Sequence, residues 1–223
     1  MELARQSVSR DPQSVALDPV TRRWRYRFVK RGLDIFASAL GLVILAPMLL
    51  LLAVAIRLTS PGPAFYRWNV VGAGGRPFVG YKLRTMVDDA DAIKPALASR
   101  NEMQGPVFKI QRDPRITRIG RVLRKYSLDE LPQLLSVLRG DMSLVGPRPA
   151  GPEEWAAYEV WQRRKLSVVP GMTCTWQTNG RHKVTDFGEW VRMDLAYIDD
   201  WSLAADIRLL ARTAAVVVAR TGA

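Results

Sequence analysis

From Ile35 to Ile56 the chain runs 22 residues without a charged side chain, and this stretch constrains the fold more than any other. As one helix it would be about 33 Å long at roughly 1.5 Å per residue, against a hydrocarbon core of about 30 Å. A secretory signal fits poorly. The run starts late, and Thr59-Ser60-Pro61-Gly62-Pro63 is not a small-x-small cleavage site. A buried core helix and a straight span are the competing readings. Pro47 lies near the middle, lacks an N–H and frees the carbonyl of Val43, which usually kinks a helix. The halves on either side are each too short to cross. Arg22, Arg23, Arg25, Arg27, Lys30 and Arg31 precede the run, and Arg57, Arg67 and Arg76 follow it. Basic residues on both flanks suit both ends returning to the cytoplasmic face. A re-entrant helix–break–helix hairpin over residues 22–58 is the expected anchor, with Trp24, Tyr26 and Phe28 at its lipid interface.

The 223 residues carry 33 basic and 21 acidic side chains, a net charge of +12, which favours anionic partners: nucleic acid, lipid headgroups or phosphorylated small molecules. One cysteine, Cys174, excludes an internal disulfide, and with one histidine, His182, it leaves no set of ligands for structural zinc. A reducing, cytoplasmic setting follows.

Residues 1–21 are polar and aperiodic and are expected to be a disordered tail. After the Pro-Gly-Pro break, AFYRWNV and RPFVGYKLRTM read as two strands joined at Gly72, Gly74 and Gly75, a β-hairpin at about 64–84. A short helix is expected at 87–98 and irregular chain at 99–114. Ile116, Ile119, Val122 and Leu123 recur at helical spacing. A new helix is expected from Ser127 to about Leu138, a Gly- and Pro-rich loop over 140–152, and helices at about 153–165, 185–200 and 203–220. The last has an apolar face with Arg208, Arg212 and Arg220, suited to lying on a bilayer or packing on the domain. The fold class is α+β, mostly helical: a membrane-anchored monotopic chain whose residues 59–223 form a cytoplasmic catalytic domain with interfacial helices.

Within Ser127-Leu128-Asp129-Glu130-Leu131-Pro132, two adjacent carboxylates sit among Arg115, Arg118, Arg121, Arg124 and Lys125. Ser127-x-x-Glu130 matches a capping box, with Asp129 in the first turn where the helix dipole favours acids. A helix N-terminus also lowers a carboxylate pKa and keeps it ionised, as a nucleophile requires. The cap and a catalytic role are compatible. If the ligand is a nucleotide diphosphate sugar, one acid can attack phosphorus while its neighbour serves as Mg²⁺ ligand or base. Lys82, Arg84, Arg124 and Arg148 are candidate phosphate contacts, Arg148 being held between Pro147 and Pro149. Each is otherwise a solvated surface charge. No Walker-type loop, dinucleotide fingerprint or nucleophile elbow occurs.

The stretch DPRITRIGRVLRKYSLDELPQLLSVLRGDMSLVGPRP (113–149) closely resembles the bacterial sugar transferases, the monotopic polyprenyl-phosphate phosphoglycosyl transferases. The likeness continues through KRGLDI (30–35), SPGPAFYR (60–67), YKLRTM (81–86), PGMTCTWQTNGR (170–181) and MDLAYIDDWSLAADI (193–207). It implies transfer of a sugar-1-phosphate from a UDP-sugar to undecaprenyl phosphate with release of UMP, through a phosphosugar-aspartate intermediate and with Mg²⁺. By position, Asp129 is then the nucleophile and Glu130 the metal ligand or base. Lys82, Arg84, Arg124, Arg148, Arg181 and Asp206 are the substrate-binding candidates, and Pro47 is the membrane break. Implied partners are the UDP-sugar, the polyprenyl phosphate and membrane lipid, with no nucleic acid and with a homodimer left open. The implied place is the cytoplasmic face of the bacterial inner membrane, and the implied role is to start an exopolysaccharide, capsule or O-antigen unit.

Four positions depart from the family pattern: Ala46 for Ser, Val70 for Arg, Cys174 for Gly and Ser136 for Asn. Val70 and Cys174 bear on efficiency and sugar preference. Many relatives also carry four N-terminal transmembrane helices absent from this sequence, so a compact form or a catalytic fragment is expected. Two other function classes compete. A membrane-tethered nucleotide-sugar binder without turnover would follow from the departures, and a nucleic-acid binder is suggested only by charge.

Overall fold

The computed structural model describes residues 24–178 and 184–218. The expected disordered tail, Arg181 and His182 lie outside the described residues. Helix α1 (Trp24–Thr59) contains Pro47 within one helical element. By length and composition, Phe28–Thr59 can enter or cross a membrane. Phe36, Val43, Leu51 and Leu58 are each at least 70% exposed, an apolar surface that lipid suits and water does not.

The first turns of α1 are fastened to the rest of the chain by polar groups. The Arg31 guanidinium donates to the Val137 and Leu138 carbonyls near the C-terminal end of α4 (Leu134–Arg139), where unpaired carbonyls and the helix dipole favour a cation. The buried Asp34 carboxylate accepts from the Ser143 hydroxyl at 3.1 Å and the Leu144 amide at 3.0 Å, tying α1 to strand β3 (Ser143–Val145). Lys30 reaches Asp206 at 2.6 Å. These residues of the KRGLDI stretch, read from sequence only as flanking charge and motif, join α1 to the rest of the described chain.

Strands β1 (Phe65–Val71) and β2 (Pro77–Leu83) form the expected antiparallel hairpin, with Trp68 opposite Gly80 and Tyr66 opposite Lys82. Residues 90–100 form a short helix, α2 (Ala90–Ile93), running into a 3-10 turn. Helix α3 (Arg118–Lys125) starts at Thr117, whose hydroxyl accepts from the Gly120 amide at 3.0 Å. A Cβ on Gly120 would fall 2.0 Å from the Thr85 carbonyl oxygen, so only glycine lets α3 press on the chain leaving β2.

A second pairing, absent from the sequence reading, joins β3 in parallel to β4 (Gly171–Thr173). Gly146 and Gly171 make it possible. A Cβ on Gly171 would lie 2.0 Å from the Gly146 nitrogen. The expected helix at 153–165 is instead split into α5 (Pro152–Ala156) and α6 (Val160–Arg163), because Tyr158 between them is drawn into the core. Helices α7 (Thr175–Thr178), α8 (Phe187–Asp199) and α9 (Leu203–Val218) complete the described chain. The main core holds Tyr158, Leu166, Cys174, Phe187, Val191 and a Trp176–Trp190 stack with centroids 4.0 Å apart. Ile56, Leu83 and Leu123 form a smaller cluster between α1, β2 and α3.

Candidate active site

Asp129 and Glu130 lie in a 3-10 turn, Leu128–Gln133, ahead of α4. The expected capping box is not formed. Ser127 has φ 54°, a left-handed conformation, and makes no side-chain cap hydrogen bond. Among the described residues it is the single non-glycine with positive φ, at a cost of roughly 1–2 kcal/mol. This turn separates the dyad from α3, with Asp129 buried and Glu130 only partly so.

Both carboxylates line an open cleft of about 1200 Å³ between the hairpin, the 108–116 segment, α3 and the start of α7. Its lining has ten basic and five acidic side chains, a balance that selects an anionic ligand. Lys82 Nζ is 3.1 Å from Glu130 Oε1, and Gln177 Nε2 donates to Glu130 Oε2 at 3.4 Å. Arg124 is aimed by its Nε–H, which donates to the Thr85 hydroxyl at 2.9 Å. Burial pulls its guanidinium below the usual value, opposed by the charges of Asp129, Asp113 and Glu130. Arg148 projects from the Gly-Pro-Arg-Pro turn, which is pinned by Gly171 N–H to the Pro147 carbonyl at 2.9 Å and by Ala150 pairing with Val71.

Asp129 has no ion pair among the described residues. Burial first, then the Glu130 charge, push its carboxyl above the usual carboxylate range, while Lys82 and Arg124 pull it down. The sequence expectation of a pKa lowered by a helix N-terminus is therefore reversed: desolvation and like charge outweigh one short turn.

Two expected substrate contacts are placed differently. Arg84 borders the cleft, but its guanidinium donates to the carbonyls of Ser60, Pro61 and Gly62, clamping the exit of α1. Asp206 lies outside the cleft and accepts from Lys30 at 2.6 Å, Tyr197 at 2.6 Å and Trp201 at 2.9 Å. Both are partnered through contacts that no local pattern announces. Conversely, sequence reasoning assigned no role to Gln177 or Trp68, though Gln177 falls in the quoted PGMTCTWQTNGR stretch.

Val70 and Cys174 are each 1% exposed and pack in the interior, and neither lines the cleft. Ser136 is also buried, and its hydroxyl makes no hydrogen bond among the described residues.

No group of three His, Cys, Asp or Glu converges among the described residues. The dyad places two adjacent carboxylates beside a strongly basic wall. Such a donor set fits Mg²⁺ arriving with a phosphate, since that ion takes one or two carboxylates and fills its sphere with phosphate oxygens and water.

A family model for bacterial sugar transferases matches residues 25–220, which include the cleft and both flanking helices. The chain belongs to the bacterial sugar transferase family. It is 45% identical over 201 residues to a galactosyl transferase, CpsE, of Streptococcus agalactiae, covering 90% of this chain and 44% of that protein. It is 44% identical over 202 residues to an undecaprenyl-phosphate galactose phosphotransferase of Salmonella typhimurium, covering 88% and 42%. A UDP-glucose:undecaprenyl-phosphate glucose-1-phosphate transferase of Caulobacter vibrioides is 44% identical over 191 residues, covering 82% and 67%. The chain thus spans less than half the length of the first two relatives. For a bacterial sugar transferase, the family match extends from the first turns of α1 into α9, so the anchor and the cleft belong to one unit of sequence.

Proposed function

We propose that the chain is a phosphoglycosyl transferase that moves a sugar-1-phosphate from a UDP-sugar to undecaprenyl phosphate. The observation that carries this is Asp129: a buried carboxylate with no salt bridge among the described residues, beside Glu130, in a cleft lined by cations. A structural acid in such surroundings would be paired. One left without a counterion is suited to attack.

In this reading an Asp129 carboxylate oxygen attacks the sugar-bearing phosphorus of the donor. The bond from that phosphorus to the bridging oxygen breaks, and UMP leaves with that oxygen. An oxygen of the lipid phosphate then attacks the same phosphorus and the acyl-phosphate bond breaks, which restores the carboxylate and yields a lipid diphosphate sugar. Any proton on the incoming phosphate passes to Glu130 or water. Lys82, Arg124 and Arg148 hold the phosphate oxygens in line. Mg²⁺, held by Glu130 and phosphate oxygens, would offset the charge that builds on them. Arg84 and Asp206 act from outside, by fixing α1 against the domain.

Helix α1 would place the cleft at the cytoplasmic face of the inner membrane, where both substrates meet. A bend at Pro47 would return both ends of α1 to that face. The product would start an exopolysaccharide, capsule or O-antigen unit.

The test is UMP release by the purified chain in detergent with undecaprenyl phosphate, Mg²⁺ and a panel of UDP-sugars. One sugar should give turnover that EDTA abolishes, and Asp129→Asn should give none. An Asp129→Asn variant with full turnover would sink the aspartyl intermediate.

A further inference from the structure

Trp68 has no place in the chemistry described so far, yet it touches two of its cations. It lies on β1 opposite Gly80 of β2. A Cβ on Gly80 would meet the indole at 3.5 Å, so the ring lies across the strand position that has no side chain. Lys82 is two residues further along β2 and shares that face of the ribbon. Its Nζ is 4.4 Å from the Trp68 ring centroid, and the Arg148 guanidinium carbon is 6.0 Å from the same ring and 5.6 Å from that of Trp190. All three residues line the cleft of the dyad.

Lys82 and Arg148 carry like charges and come from separate parts of the fold. Bringing them together costs energy that is recovered only when an anion arrives. The negative face of an indole offsets part of that cost in advance, because it attracts each cation without cancelling its charge. Lys82 also has a competing partner, Glu130 at 3.1 Å. An ammonium released from the ring would be left with that carboxylate and less available to phosphate.

We propose that Trp68 is a positioning residue whose indole holds Lys82 and Arg148 as a preassembled pair for a diphosphate group. Only the identity of that diphosphate, as part of a UDP-sugar, rests on the transferase reading. The ring acts through the two cations and not by stacking on a base or a sugar.

The experiment measures binding of inorganic pyrophosphate to the full chain in detergent with EDTA present, for the wild type, W68L, W68F, K82M and W68L/K82M. W68L should bind roughly tenfold more weakly, and W68F should lose less because a phenyl face also attracts cations. The double variant should lose less than the two single losses combined. Uridine, which has the base but no phosphate, should bind W68L as it binds the wild type. Far-ultraviolet circular dichroism checks that W68L folds, and W68F keeps the test decisive if it does not. The proposal is overturned if wild-type chain binds no pyrophosphate, if W68L binds it as well as wild type, if W68F is as weak as W68L, or if uridine loses equally. UDP-sugar turnover by the wild type is read separately. Its absence alongside the pyrophosphate pattern above would sink the transferase reading and leave the role of Trp68 standing.

Discussion

The Lys82 ammonium lies 3.1 Å from Glu130 Oε1, so this cation is paired to Glu130 and acts on Asp129 only through space. Two carboxylates adjacent in sequence therefore have different environments. Glu130 is held by Lys82 and Gln177, whereas Asp129 is more deeply buried, where burial and the Glu130 charge work against its ionised form. That asymmetry divides the work: the held acid suits a metal ligand or base, and the unpaired one suits a nucleophile.

The cost should be visible as stability. Burial and Glu130 raise the Asp129 carboxyl above the ordinary 3.8 of an aspartate, so the native state binds its proton more tightly than the unfolded chain does. Ionised Asp129 is then destabilising above the raised value, and the penalty fades as pH falls toward 3.8. Asp129→Asn should abolish transfer and raise the urea midpoint at pH 7, with the gain shrinking on acidification. A lowered midpoint at neutral pH would contradict the assigned environment.

The same electrostatics set the acid limb of activity. In the proposed mechanism attack requires ionised Asp129, so adduct formation should fall as pH drops through a value above the ordinary carboxylate range. Lys82 lowers that value and Glu130 raises it. Single-turnover rates against pH should show the residual limb of Lys82→Met moved up and that of Glu130→Gln moved down. Shifts in the same direction would refute the through-space coupling.

Gln177 has its amide orientation fixed. Its Oε1 accepts from the Cys174 amide at 3.0 Å, which leaves Nε2 to donate to Glu130 at 3.4 Å. Losing a hydrogen bond to a charged group costs about 1.5–3 kcal/mol, and this long one belongs at the low end. Gln177→Leu should lower kcat about tenfold with the donor KM little changed. Gln177→Glu should lose more at neutral pH and recover as the added carboxylate is protonated. An unaltered kcat in Gln177→Leu would remove Gln177 from the site.

Much of this was legible in the chain. The strand-like segments on either side of Gly72, Gly74 and Gly75 marked the hairpin, and the uncharged run marked α1. The dyad and its basic wall were visible as composition, and Lys82, Arg124 and Arg148 do converge on the cleft. What the sequence alone does not reveal depends on distant partners. Ser127-x-x-Glu130 has the letters of a capping box, but the chain must turn sharply after α3, and the left-handed Ser127 cannot cap. Strands β3 and β4 are three residues each and are separated by 25 residues, too short and too distant for a periodic signal. Arg84 and Asp206 carry the right charges for a substrate, and only the folded chain reveals the carbonyls and the lysine that engage them.

Cys174 gives a probe of the core. Burial, then the nearby Asp194 charge, push its thiol up to about 12, and thiolate is the reactive form. Iodoacetamide at pH 8 should leave the folded chain unlabelled at this residue and modify it at the rate of global unfolding. Fast labelling under native conditions would show that α7 opens locally.

The last prediction concerns the pair behind the cleft. Lys165 and Asp194 are each 1% exposed and 3.2 Å apart, and Lys165 also faces the rings of Tyr158, Phe187 and Trp190. Burial is the largest influence on Lys165 and works against its charge, but Asp194, Tyr158 and Cys174 together more than offset it and hold the ammonium. Burial also pushes the Asp194 carboxyl up against the pull of Lys165. Asp194 in turn accepts from the Thr175 hydroxyl at 3.3 Å at the start of α7, the turn that carries Gln177 to Glu130. Removing one member leaves a buried charge unpaired, so Lys165→Met should cost about 3–5 kcal/mol in denaturant unfolding. Replacing both, as in Lys165→Met with Asp194→Leu, should return most of that stability, because an apolar pair of similar volume needs no counterion. The rescued protein should nevertheless keep a lowered kcat, since Thr175 has lost the acceptor that fixes α7. Full activity in the stable double variant would make the pair purely a packing element.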